Sequence, residues 1–119
     1  MAPFYVMILV RSKELALIKA IDTSSYQPRE LGPLVEHAGA EAVIVHLYLP
    51  WEQPTLNHSL AQINSARDLG LLVQPYIFLY PDIDPIAAVD EATNIIWAVW
   101  DAKPILWLDM VSVDIDENP

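Results

Sequence analysis

The chain has 119 residues, a formal net charge of −10 and no cysteine. Its apolar content of 54% excludes a disordered chain, and the lack of cysteine excludes disulfides and Cys-containing zinc sites. Six basic residues against sixteen acidic ones argue against a nucleic-acid partner or an anionic membrane surface. The length predicts one domain, and it falls short of the roughly 200 residues of a complete (β/α)8 barrel.

The first segment, residues 1–14, contains one apolar run at 3–10. A bilayer-spanning helix needs about 20 apolar residues, so this run does not predict a membrane span. The segment has no positively charged start, and the run ends at Arg11 instead of a small-residue cleavage site, which disfavours a signal peptide. We interpret residues 1–14 as an N-terminal apolar arm or strand.

The rest of the chain, residues 15–119, alternates apolar runs with amphipathic segments. Pro75 predicts a bulge in the third run, because proline donates no hydrogen bond to a ladder. Asp84 followed by Pro85 predicts the start of the last helix. The β-α-β-α-β-α-β order predicts a parallel sheet, either a small open α/β sheet or half of a (β/α)8 barrel. The runs predict strands at 15–21, 42–49, 71–80 and 105–111, and helical spacing predicts helices at 29–38, 55–69 and 85–101.

Two of the predicted strands end in a carboxylate: Asp22 ends the first strand, and Asp109 ends the fourth. The carboxyl ends of parallel strands meet at one edge, so the two side chains should converge. Placing a charged carboxylate at the end of an apolar strand costs free energy unless water, a ligand or a partner satisfies it. Two converging carboxylates are the arrangement that hydrolysis of a glycosidic bond uses. A turn or cap is the alternative explanation of Asp22. We interpret Asp114, Asp116 and Glu117 as a solvated acidic tail.

Aromatic and histidine side chains supply the other candidates. Tyr48 and Tyr76 lie in or near strand ends, and Trp51, in a loop, could stack on a sugar. Trp97 and Trp100, at i and i+3, are predicted to pack in the core or between helix and sheet. The histidines lack metal-ligand spacing, so we expect no metal site; we interpret His46 as a hydrogen-bonded strand residue. The sequence has no Gly-rich phosphate loop, and we expect no cofactor.

Three segments resemble the family 25 glycoside hydrolases, the lysozyme-like muramidases. Residues 21–27, Ile-Asp-Thr-Ser-Ser-Tyr-Gln, resemble the first-strand Asp-x-Ser-x-x-Gln motif of that family. Residues 70–78 are similar to its third-strand segment, and residues 104–109 to its fourth strand, which normally continues Asp-x-Glu. The order and the spacing of the three segments match the family across residues 15–111.

The resemblance implies a partial TIM-type barrel over residues 15–119, corresponding to the N-terminal half of the family's fold. Family members hydrolyse the β-1,4 bond between N-acetylmuramic acid and N-acetylglucosamine in bacterial peptidoglycan. By this resemblance Asp22 and Asp109 are catalytic and Tyr76 lines the sugar site; Gln27 belongs to the first motif. We add Tyr48 and Trp51 as substrate-binding candidates. The implied partner is bacterial cell-wall glycan, and the implied location is extracellular or phage-associated.

Two departures from the family leave alternatives open. Val111 stands where the family has its acid Glu, and Ile77 replaces a third-strand His. Valine cannot donate the proton of general acid catalysis, which is worth about 10²–10⁴-fold; Asp114 is the nearest replacement. The chain stops after the fourth strand, so we expect the front part of a longer polypeptide, or self-association of two chains through an open sheet edge. The alternative functions are a non-catalytic cell-wall glycan-binding relative and an unrelated small α/β domain.

Overall fold

The structure is a computed structural model that describes the backbone of residues 4–9 and 15–110 and the side chains of residues 18–109. It contains five strands and three helices in these ranges. The strands are β1 (Phe4–Leu9), β2 (Leu15–Thr23), β3 (Ala42–His46), β4 (Leu72–Leu79) and β5 (Trp107–Met110), and the helices are α1 (Gly32–Ala38), α2 (Leu56–Asp68) and α3 (Pro85–Val99).

The five strands form one sheet in chain order, β1-β2-β3-β4-β5. Strands β2 to β5 are parallel, and β1 pairs with β2 in the antiparallel direction. The predicted α/β class and parallel sheet are confirmed: the chain forms a small α/β domain whose four parallel strands make a half-barrel. The β1 strand falls within the predicted N-terminal arm, while residues 10–14 of that arm lie outside the described residues.

One face of the sheet is covered by the helices. Val43 and Val45 of β3 are fully buried there, because successive side chains of a strand point to opposite faces. Ile63 of α2 and Ile96 of α3 belong to the same apolar core. The opposite face carries the alternate residues, and we call it the open face. Register and alternation assign to it Asp22, Ile44, His46, Gln74, Tyr76, Trp107 and Asp109.

The bulge predicted at Pro75 is wrong. The pairing of β3 with β4 runs without interruption from Ala42–Leu72 to His46–Tyr76. Adjacent residues of a parallel strand direct their N–H groups to opposite neighbours, and the Tyr76 carbonyl accepts from Leu47 N on the β3 side. Pro75 therefore faces β5, whose pairing begins only at Tyr76–Trp107, so the missing N–H costs no ladder hydrogen bond.

The helices differ from the predicted ones mainly at their ends. Helix α1 begins at Gly32 instead of residue 29, because Pro33 occupies its first turn and Leu31 N donates to Ser65 Oγ at 2.8 Å. The predicted cap of α3 is confirmed, since Asp84 Oδ1 accepts from Ile86 N at 3.0 Å. Among the described residues, no helix combines the length and the apolar character needed to cross a bilayer.

The prediction that Trp97 packs in the core or between helix and sheet is wrong, since 67% of this residue is exposed. The buried stripe of α3 follows Ala88, Ala92 and Ile96 at intervals of four, which turns the next residue away from the sheet. Trp100 is half-buried, and its Nε1 donates to the Val73 carbonyl at 3.1 Å. The Val73 carbonyl faces the β5 side, and the pairing of β4 with β5 starts only at Tyr76, so this carbonyl is free to accept from Trp100.

Candidate functional site

Asp22 lies near the carboxyl end of β2, on the open face. Its neighbours Ile21 and Thr23 are buried on the helix-covered face, which leaves the Asp22 carboxylate exposed. Thr23 Oγ1 donates to Gln62 Oε1 of α2 at 2.9 Å. This buried hydrogen bond fixes the strand end that presents the carboxylate.

The turn after β2 is held by hydrogen bonds from its own residues and from Tyr48, two residues beyond the end of β3. Gln27 Oε1 accepts from Ser24 N at 2.8 Å, and the Tyr48 hydroxyl accepts from Ser25 N at 2.8 Å. Gln27 also lines a cavity of about 290 Å³ together with Asp22, Tyr26 and others. The predicted binding residue Gln27 is therefore at the site, but its side-chain oxygen is already engaged in closing the turn.

Tyr76 lies on the open face at the centre of the candidate site. It is half-buried, and it lines both the 290 Å³ cavity and a neighbouring one of about 220 Å³. Burial, with the negative charges of Asp22 and Asp109 added, raises the pKa of its phenol well above the ordinary value. Tyr76 therefore keeps its proton at neutral pH and can donate a hydrogen bond to a ligand.

Asp109 reaches the same place from β5. The 220 Å³ cavity is lined by Asp22, Ile44, Tyr76, Trp107, Leu108 and Asp109. Two strands separate β2 from β5 in the sheet, so curvature of the half-barrel brings the two carboxylates to one cavity. Trp107 donates from Nε1 to Gln74 Oε1 at 2.7 Å, which fixes its indole on the open face.

Tyr48 and Trp51 lie away from these two cavities. Tyr48 is buried, its hydroxyl is bonded to Ser25 N, and its ring stacks on His46 with centroids 3.9 Å apart. Trp51 is 39% exposed in the turn after β3 and lines neither cavity. The structure thus brings Asp22, Tyr76, Asp109 and Gln27 together, and it gives Tyr48 a supporting position.

A buried polar network beside the site was not predicted. Glu52 Oε2 lies 3.0 Å from His46 Nε2 and accepts from the Tyr80 hydroxyl at 2.9 Å, while Oε1 accepts from Leu49 N at 2.8 Å. Burial acts to raise the pKa of Glu52, but these hydrogen bonds, that from His46 foremost, hold it below the ordinary value. The interpretation of His46 as a hydrogen-bonded strand residue is confirmed; its partner Glu52 carried no pattern that would have revealed it.

The described residues offer no metal site, and several candidate residues lie beyond them. Residues 18–109 contain no group of three His, Asp or Glu side chains arranged to hold a metal ion. Val111 and the predicted tail residues Asp114, Asp116 and Glu117 lie outside the described residues.

The fold and the site define a class: a parallel α/β half-barrel whose open face presents two carboxylates around a protonated tyrosine. Comparison of the chain with protein-family models, curated proteins and solved structures finds no match.

Proposed function

We propose that this chain is a peptidoglycan-cleaving glycoside hydrolase of the muramidase type, or a part of one. The proposed reaction is hydrolysis of β-1,4 bonds between N-acetylmuramic acid and N-acetylglucosamine. The half-barrel would then be the first half of a TIM-type barrel. The observation that carries the proposal is the shared cavity of Asp22, Tyr76 and Asp109, three residues from three separate segments that each resemble the family.

The proposed roles follow from the chemistry of the side chains. Cleavage of a glycosidic bond develops positive charge on the sugar ring, which nearby carboxylates stabilise. Asp22 and Asp109 are both exposed to the cavity and would supply that negative charge. The raised pKa of Tyr76 keeps a hydrogen-bond donor between them for a sugar oxygen. The proton for the leaving oxygen would come from another group, with Asp114 the nearest candidate in the sequence, because Val111 cannot supply it.

The test is release of reducing sugar from purified peptidoglycan, with circular dichroism to confirm folding. We expect release by the wild type and its loss in Asp22→Asn and Asp109→Asn. The matched control is Asp90→Asn, which removes one exposed carboxylate from α3, away from the cavity. Release that survives both site variants, or falls equally in the control, would contradict the proposal.

A non-catalytic glycan-binding protein is the second candidate, favoured by Val111. Trp107 and Tyr76 place two aromatic rings at the cavity, which suits stacking on sugars. This candidate predicts binding of peptidoglycan without release of reducing sugar. Val111→Glu separates the two, because it would restore an acid in the family's position: new or greatly raised hydrolysis supports an intact muramidase geometry, whereas unchanged binding without hydrolysis supports the binding protein.

The proposed partner and location follow from the proposed substrate. Bacterial cell-wall glycan is reached outside the cytoplasmic membrane or during lysis, so we propose an extracellular or phage-associated protein. Self-association through a sheet edge stays a proposal as well. In the described part of the chain, β5 pairs only with β4, and Ile105 just before β5 and Leu108 within it are more than half exposed.

A further inference from the structure

Closing the turn after β3 does not by itself explain why the carboxylate of Glu52 is buried. Glu52 is only 6% exposed, in a chain that carries a net charge of −10. Burying an ionised carboxylate is costly unless hydrogen bonds compensate for the lost hydration. Only one of its three partners, Leu49 N, belongs to the turn itself; the others, His46 and Tyr80, lie on β3 and after β4.

The ionised state of Glu52 determines which atom donates in its hydrogen bonds to His46 and Tyr80. An ionised carboxylate can only accept, so the hydrogen between His46 Nε2 and Glu52 Oε2 belongs to the imidazole. Tyr80 likewise donates its hydroxyl hydrogen to Oε2. Glu52 therefore determines that Nε2 is protonated, and it fixes the orientation of the His46 ring.

The His46 ring lies against Tyr76, which lines the candidate site, and against Tyr48, which holds the turn beside it. It stacks on Tyr48 with centroids 3.9 Å apart and an angle of 20° between the planes. Its centroid lies 4.7 Å from that of Tyr76, with the planes tilted by 33°. Tyr76 lines both cavities, and Tyr48 holds the backbone of the turn after Asp22, so the imidazole supports both sides of the site.

We propose that Glu52 is a positioning residue that acts through the Nε2–H of His46 to hold the Tyr76 ring between Asp22 and Asp109. The identity of the ligand in this inference rests on the proposed glycan function. Glu52 itself is absent from the lining of both cavities and would not touch the sugar.

Glu52→Gln is the sharpest variant because it changes the hydrogen-bond pattern at nearly constant shape. The Gln oxygen can still accept from Leu49 N, which leaves the amide NH₂ facing His46 Nε2. Two donors cannot share a hydrogen bond, so we expect His46 to change to the tautomer that is protonated at Nδ1. Glu91→Gln is the matched control, because Glu91 on α3 lines a separate apolar hollow of about 350 Å³ that Glu52 also borders.

Two readouts are taken, one without a ligand and one with it. Long-range ¹H–¹⁵N correlation of the imidazole reports the His46 tautomer, and the Tyr76 ring resonances report the position of that ring. Affinity is measured for the β-1,4-linked tetramer of N-acetylglucosamine. We expect Glu52→Gln to change the tautomer, shift the Tyr76 resonances and weaken binding by about tenfold, within the range seen for residues of one hydrogen-bonded network. Glu91→Gln should change none of these.

His46→Phe tests whether Glu52 acts through the imidazole. Phenylalanine keeps an aromatic ring against Tyr48 and Tyr76 but has no N–H for Glu52. We expect it to weaken binding about as much as Glu52→Gln, and we expect Glu52→Gln to add less than about twofold in the His46→Phe background. Equal additional weakening in that background would overturn the proposal, because Glu52 would then act by another route.

The remaining outcomes are also decisive. An unchanged His46 tautomer and unchanged Tyr76 resonances in folded Glu52→Gln would overturn the positioning role. Failure of the wild type to bind the tetramer would contradict the proposed glycan function alone, since the ligand-free spectra still decide the role of Glu52. If Glu52→Gln does not fold, His46→Phe and Tyr80→Phe replace it, and undiminished affinity in folded His46→Phe would overturn the proposal.

Discussion

Thr23 donates a buried 2.9 Å hydrogen bond to Gln62, and this contact joins the strand that carries Asp22 to helix α2. The Gln62 amide nitrogen lies within 3.1 Å of three turn carbonyls, those of Ser24, Gln27 and Pro28. One fully buried side chain therefore satisfies both the end of β2 and the turn that follows it. The position of the candidate site depends on a residue that does not line it.

Gln62→Leu should destabilise the fold strongly. Leucine has a similar size, but it leaves the Thr23 hydroxyl and the turn carbonyls without their partner, and each buried group left unpaired costs about 1–3 kcal/mol. We expect the free energy of unfolding, measured by urea denaturation, to fall by about 2–3 kcal/mol. Asn64→Leu on the exposed side of α2 is the control and should change it by less than about 0.5 kcal/mol. Equal effects of the two variants would mean that the Gln62 hydrogen bonds contribute nothing to stability.

Asp22→Asn should leave the fold intact while it removes function. Among residues 18–109, the Asp22 carboxylate makes no hydrogen bond or ion pair, and it faces a cavity shared with a second carboxylate. Loss of a negative charge from a chain of net charge −10 also relieves repulsion. We expect an unchanged or higher Tm together with loss of peptidoglycan binding or cleavage, since residues kept for function often reduce stability. A large drop in Tm with binding intact would instead identify Asp22 as a structural cap.

The candidate site was easiest to predict from the sequence where strand topology alone decides the position of a side chain. The convergence of Asp22 and Asp109 could be predicted because the carboxyl ends of parallel strands meet at one edge of a sheet, whatever the packing around them. Tyr76 became a candidate through the resemblance of its segment to the family 25 glycoside hydrolases. Gln27 and Tyr48 were harder, because their polar atoms are engaged by backbone N–H groups of the turn after β2. A list of polar residues does not distinguish a group that binds a ligand from one that closes a turn.

Tertiary contacts explain the rest of the differences. Glu52 follows Pro50 and Trp51 in a segment that reads as an exposed loop, yet the approach of His46 and Tyr80 makes its burial favourable. Pro75 is tolerated in β4 because the neighbouring strand begins one residue later, which no local pattern reveals. Both outcomes depend on which strands are adjacent and where their pairing starts.

Alkaline pH should destabilise the protein through Tyr80. Burial and the hydrogen bond to Glu52 raise the pKa of Tyr80 to about 12 in the folded chain, against about 10 in an unfolded chain. The folded state therefore keeps a proton that the unfolded state loses, so this contribution to stability is complete below about pH 10 and is lost as the pH rises toward 12.

Tyr80→Phe isolates that contribution. Between about pH 10 and the pKa of Tyr80, the free energy of unfolding should fall less steeply in this variant than in the wild type, as measured by urea denaturation at successive pH values. Tyr26→Phe is the control, because Tyr26 is 93% exposed, and it should retain the wild-type slope. Parallel curves for wild type and Tyr80→Phe would contradict the role assigned to the Tyr80–Glu52 hydrogen bond.

Added salt should strengthen binding to cell wall. A chain of net charge −10 is repelled at long range by an anionic polymer, so the attraction must come from short-range contacts in the cavity. Screening shortens the reach of the repulsion from about 30 Å at 0.01 M salt to about 8 Å at 0.15 M. We expect affinity for purified cell-wall sacculi to rise over that range, whereas affinity for the uncharged N-acetylglucosamine tetramer stays constant. Affinity for sacculi that falls with salt would instead indicate attraction by basic side chains such as Arg29 or Lys103, and would place the binding surface away from the two carboxylates.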